Sequence, residues 1–107
     1  LEYRIPKMIL QPLVENAITH GIGNKRGGGT VTIATREEPD NWLLTVQDDG
    51  CGTDNIAADG LPPQQEGGFI GLANVRQRVE SIARGRLHFS SIKNKGATVT
   101  VVLPKER

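Results

Sequence analysis

The chain has little of several things, and each scarcity excludes a class. There is one cysteine, Cys51, in 107 residues, so no internal disulfide framework can form and a reducing compartment suits it. One cysteine and two distant histidines, His20 and His88, cannot build a protein zinc site of standard spacing. No apolar run approaches the roughly 18 residues of a membrane span. Thirteen basic against twelve acidic residues leave a net charge of +1, and no basic stripe with interleaved aromatics exists, so no nucleic-acid footprint is present. Aromatic residues number four. No signal peptide is visible, and a chain opening on Leu1 is expected to be a piece of a longer protein.

What is there in excess is glycine, 13 residues, about 12% against the roughly 7% of an average chain. The apolar share is ordinary for a globular domain, and the length predicts one domain over 1–107. Glycine in such numbers serves backbone shape, so its positions matter.

Hydrophobic spacing predicts a helix over 5–20, with Pro6 in its first turn and Leu10, Leu13, Val14, Ala17 and Ile18 on one face. Its other face carries Glu15, Asn16, Thr19 and His20 as one polar patch. Alternation predicts strands over 30–36 and 42–48 joined by a turn at 37–41. In the second strand Trp42, Leu44, Val46 and Asp48 share a face, so an apolar row ends in a carboxylate while Asp49 points the other way. Residues 50–71 are rich in glycine and proline and are expected to be irregular. A second helix is predicted over 72–83, ended by Gly85, then strands over 86–92 and 97–103 about a turn at 93–96. Strands joined by short turns, with two helices to cover one face, make an α+β fold, a two-layer α/β sandwich on a mostly antiparallel sheet.

Three clusters can carry chemistry. Asp48-Asp49-Gly50-Cys51-Gly52 sets an inward acceptor at a pocket floor beside close backbone; a ligand with an N–H donor, such as the adenine amine, would satisfy it. Gly67-Gly68-Phe69-Ile70-Gly71-Leu72 places glycines before a helix, where exposed N–H groups suit phosphate. It is neither a Walker loop nor a dinucleotide fingerprint. On the first helix, Asn16 offers an oxygen to a hard cation such as Mg²⁺. Each cluster alone also fits a polar turn, a plain helix start or a solvated helix face. Together they are the inventory for adenine, polyphosphate and Mg²⁺.

The run Leu10-Gln11-Pro12-Leu13-Val14-Glu15-Asn16-Ala17-Ile18-Thr19-His20-Gly21 resembles the N-box of LytS-like sensor histidine kinases. Asp48–Gly52 resembles their first glycine box, Gly71–Val79 the second, and Gly96–Pro104 the closing strand. The resemblance covers nearly the whole chain, and the glycine boxes are shared across the wider GHKL group of ATP-binding domains. It implies a Bergerat-type sandwich with ATP held between helices, under a lid at about 53–70. It implies that Asn16 holds Mg²⁺ and that Asp48 takes the adenine amine. Gly50 and Gly52 would let backbone pass the nucleotide, and Gly71 and Leu72 would open the lid helix at the phosphates. His20 would lie by the phosphates or ribose, and Glu15 would polarise or accept a proton. The implied partners are ATP, a dimerisation and phosphoacceptor domain of the same protein, and indirectly a response regulator. The implied location is cytoplasmic, in a membrane-anchored bacterial sensor.

Four positions depart from the pattern. Pro12 stands where GHKL hydrolases, and serine-kinase anti-sigma factors, carry a glutamate base. Phe69 replaces a glycine of the second box, and Asp49 stands where asparagine is usual. Ala97 replaces a threonine near adenine; the neighbouring hydroxyl, Thr98, is a candidate contact although alternation turns it away. The implied function is donation of the γ-phosphoryl group to a histidine outside this chain. The alternatives are an ATP-hydrolysing GHKL enzyme and a regulatory module with degenerate nucleotide chemistry.

Overall fold

The structure, a computed structural model, describes residues 7–18, 29–50, 52, 56, 60–61 and 72–105. In chain order these form α1 (Lys7–Asn16), β1 (Val31–Glu37), β2 (Asn41–Asp48), α2 (Leu72–Ile82), β3 (Arg86–Ile92) and β4 (Gly96–Pro104). The expected element types and order are all present. His20, Gly71, Phe69 and most of the expected lid lie outside the described residues.

The sheet order is β1-β2-β4-β3, with every described pairing antiparallel. Because β4 is antiparallel to both neighbours, β2 and β3 run the same way with β4 between them. Two turns are local: Glu38 N–H donates to Asn41 O at 2.8 Å, and Lys95 N–H to Ile92 O at 2.9 Å beside Asn94, whose φ is +68°. α1 packs on α2 and α2 on β3, so the helices share a layer.

Register aligns the side chains that face this layer. Leu44 of β2 opposes Val101 of β4, which opposes Leu87 of β3; Val46, Val99 and Phe89 form the next row. All six are buried or packed against the core. Full burial of one such side chain is worth about 1.5–3 kcal/mol, so these rows carry much of the drive that closes the layers. The following row, Asp48–Ala97–Ser91, turns polar.

The helix faces differ from expectation in phase. The buried stripe of α1 is Ile9, Leu13 and Ala17, while Ile18 is 51% exposed. With Ile9, Leu13 and Ala17 buried at spacings of four, Ile18 falls one residue, about 100° of turn, beyond the stripe. Pro12 sits inside α1, where it removes one helical N–H donor. In α2, Leu72, Val75 and Val79 are buried, but Ile82, its last residue, is 58% exposed. Gly85 does help end this helix, its N–H donating to Val79 O at 2.9 Å, yet the residue with positive φ is Arg84. Trp42, first in the apolar row of β2, is half-buried against the core, with Lys105 Nζ 5.2 Å over its ring. Leu61, from the expected lid, is buried in the core.

Candidate functional site

β2 delivers Asp48 to the helix side of the sheet at the end of an apolar row, as its alternation predicts. Asp48 is 5% exposed, the one buried charged residue among those described. Oδ1 accepts the Gly50 N–H at 2.9 Å, and Ala97 of β4 is paired with Asp48 across the sheet, its backbone N–H near enough to act on the carboxyl. Desolvation by burial raises the Asp48 pKa above the ordinary aspartate value; the Gly50 and Ala97 N–H groups pull it back, and Asp49 pushes it up. Apolar neighbours outweigh the two N–H groups, so this is an acceptor held in a dry place.

Asn16, half-buried at the end of α1, and Asp48 line the same narrow cavity of about 10 Å³, room for roughly one water molecule. Leu13 and Ala17 of α1 and Leu72 of α2 wall the helix side; Val46, Phe89, Ala97 and Val99 wall the sheet side. The fold therefore brings together Asn16, Asp48 and Leu72, three candidates from three different elements. Phe89 was given no role from sequence, though the alternation Leu87–Phe89–Ser91 was a signal that it faces the helices.

Other candidates stand apart. Glu15 is exposed, accepting from Gln11 Nε2 at 3.2 Å one turn back on α1, and does not line the cavity. Thr98 alternates to the opposite side of the sheet, in a row with Gln47 and Ser90; a second groove of about 250 Å³ that it lines also takes in Lys95, Ser91, Ala97 and Asp48 at the strand ends. Arg76 is half-buried and already engaged within the fold.

The glycines divide by what their bare Cα faces. Gly50 is buried, its N–H on Asp48. Gly52 has φ +60°, and a side chain there would run into the Ile92 carbonyl of the β3–β4 hairpin. Its bareness thus serves a backbone-to-backbone contact within the protein, a role different from the expected passage of a nucleotide. Gly96, with φ +130°, meets the Asp48 carbonyl in the same way. Asp49 is also structural: Oδ1 accepts the Thr30 N–H at 2.8 Å, while Asp49 N–H donates to Thr30 O at 3.3 Å. That clamp needs only a side-chain oxygen, which asparagine and aspartate both supply.

Among the described residues no group of three or more His, Cys, Asp or Glu converges to hold a metal ion. No described helix is long and apolar enough to cross a membrane.

This arrangement, a helix asparagine and a buried strand-end aspartate across one cavity in a two-layer α+β sandwich, defines a class. The family model of histidine kinase-, DNA gyrase B- and HSP90-like ATPases matches residues 3–107, and the chain belongs to that family. Within it the chain is similar to sensor histidine kinases. It is 36% identical over 108 residues to the sensor histidine kinase YpdA of Escherichia coli, covering 96% of this chain and 18% of that protein. It is 31% identical over 115 residues to the sensor protein LytS of Bacillus subtilis, covering 99% and 19%. The chain thus spans about a fifth of these relatives' length. Among solved structures, the nucleotide-free catalytic domain of histidine kinase ThkA superposes with a TM-score of 0.73 at 22% identity, over 92% of this chain and 66% of that one. The histidine kinase domain of an Erythrobacter litoralis blue-light activated kinase gives 0.70 at 23%, over 91% and 42%. At these identities the two structures support the GHKL-type fold.

Proposed function

We propose that this domain binds Mg-ATP and donates its γ-phosphoryl group to a histidine on a dimerisation domain of the same protein, in two-component signalling. The observation that carries the reading is the convergence of Asn16 and Asp48 on one apolar-walled cavity. Asp48 is the acceptor for the adenine amine, and the apolar walls receive the ring. Asn16 is the protein's oxygen ligand for Mg²⁺, which takes its remaining ligands from phosphate and water and neutralises phosphate charge. One amide oxygen with no carboxylate cluster fits an ion of that kind. Phosphoryl transfer asks the protein for positioning and charge neutralisation more than for covalent chemistry.

A purine ring exceeds the space present, so binding goes with separation of Leu13 and Ala17 on α1 from Leu72 on α2. His20, Gly71 and the segment at 53–70 complete the phosphate side in this reading. Pro12, with no ionisable group, disfavours an ATP-hydrolysing enzyme. The narrowness of the cavity, together with Ala97, favours one second reading, a regulatory module that has lost nucleotide. Titration with a fluorescent ATP analogue, with and without Mg²⁺, separates the two. Saturable, Mg²⁺-strengthened binding is expected; none at millimolar nucleotide would leave the regulatory module. The chain alone is expected to phosphorylate itself poorly, and robust autophosphorylation would overturn the assignment of an external acceptor.

A further inference from the structure

Ser91 lies on the helix-facing side of β3, directly across from Ala97, which is itself across from Asp48. Ser91 Oγ donates to Gly96 O at 3.0 Å. The Gly96 carbonyl and the Ala97 N–H are the two ends of one planar peptide group. That N–H points across the β2–β4 pair at Asp48, and it acts to hold the carboxyl's pKa down. On a strand the two ends point to opposite neighbours, the carbonyl toward β3 and the N–H toward β2, which is where Ser91 and Asp48 stand.

We propose that Ser91 is a positioning residue for the nucleotide site, acting on Asp48 through the Gly96–Ala97 peptide group. The link runs from the Ser91 hydroxyl to the Gly96 carbonyl, and from the Ala97 N–H across to the Asp48 carboxylate. A donor on the carbonyl fixes the tilt of the peptide plane and polarises it, strengthening the N–H at its far end. The link is close-fitting because the bare Cα of Gly96 meets the Asp48 carbonyl and leaves the peptide little room to turn. Ser91 therefore holds the acceptor oxygens of Asp48 in the orientation that a base amine must meet. It touches no ligand itself. This deepens the reading of the cavity as a nucleotide site and rests on it.

The test compares Ser91→Thr with Ser91→Val, two β-branched residues of similar shape that differ by the hydroxyl. Two readouts are taken on each: affinity for Mg-ATP and Mg-GTP, and the chemical shift and exchange rate of the Ala97 amide proton. Ser91→Thr is expected within about twofold of the unaltered chain in both. Ser91→Val is expected to weaken Mg-ATP about 3- to 10-fold, to narrow the preference over Mg-GTP, and to move the Ala97 amide upfield with faster exchange. Unchanged affinity and an unchanged Ala97 amide in Ser91→Val would overturn the proposal. So would a loss shared equally by both variants, which marks a purely steric role. If the unaltered chain binds no ATP, the nucleotide reading fails; the Ala97 amide then still decides whether Ser91 acts on Asp48.

Discussion

Asp48→Asn separates affinity from stability, because the two respond in opposite directions. The change keeps the shape and removes the charge. Asn retains one oxygen for the Gly50 N–H, but its NH₂ then faces either the Ala97 N–H or the incoming base amine, donor against donor. A hydrogen bond to a charged group is worth about 1.5–3 kcal/mol, so affinity for Mg-ATP should fall about 10- to 150-fold. Stability should not fall with it. Burial penalises the charged carboxylate, and removing the charge relieves that penalty while weakening one backbone contact worth about 1 kcal/mol. The midpoint of thermal unfolding near neutral pH should therefore be unchanged or raised. A drop well beyond about 4–8 °C, roughly 1 kcal/mol for a domain this size, would refute the argument.

The sign can be checked again with pH. The folded pKa of Asp48 lies above its unfolded value of 3.8, so its contribution to stability is fully present below that value and is lost as pH rises through the folded pKa. Asp48→Asn should gain on the unaltered chain over that acidic window and hold a constant difference above it. Nucleotide affinity should run the other way, rising as the carboxylate ionises. Thermal melts of both chains from pH 4 to 7, with ATP titrations at the same points, test the pair of slopes. Parallel melting curves would refute the assignment of desolvation as the dominant cause.

The other predictions probe the surroundings of Asp48. Asn16→Ala should abolish the strengthening of ATP binding by Mg²⁺ while Mg²⁺-free binding changes little, read by titration in EDTA and in Mg²⁺. Gly52→Ala should destabilise the domain by about 2 kcal/mol or more, from its positive φ and collision with the Ile92 carbonyl, read by chemical denaturation. Thr98→Val should leave ATP affinity within about twofold, because Thr98 faces the far side of the sheet; a tenfold loss would place that hydroxyl in the site after all.

How much of this is legible in the sequence depends on the range over which each fact is set. Asp48 follows from period-two alternation along one strand, and the strand itself fixes which way its side chain points. Asn16 follows from the helical wheel with equal directness. The error of phase in α1 is also local: apolar residues run from Ile9 to Ile18, and spacing alone does not say which edge of that band turns to the core. The neighbours of Asp48 are another matter. They come from β4, which inserts between β2 and β3, so Ala97 meets Asp48 only through a pairing that skips α2 and β3. No spacing in the chain encodes that register.

Gly52 and Gly96 illustrate the consequence. In sequence Gly52 suggests room for a ligand and Gly96 a turn; in the fold, each removes a side chain that another strand's carbonyl would strike. The turn after β2 and the hairpin between β3 and β4 are thus pressed together, backbone on backbone, around one buried carboxylate. Such packing is stiff, since the atoms in contact are backbone on both sides and no side-chain rotamer can absorb a shift. A stiff floor at Asp48 and opening at the helices are complementary demands. In the proposed reading, the base would meet an acceptor whose direction is already set, and separation of α1 from α2 would admit it. Substitutions on the sheet side should therefore change which base is accepted, and substitutions on the helix side should change how fast it enters and leaves.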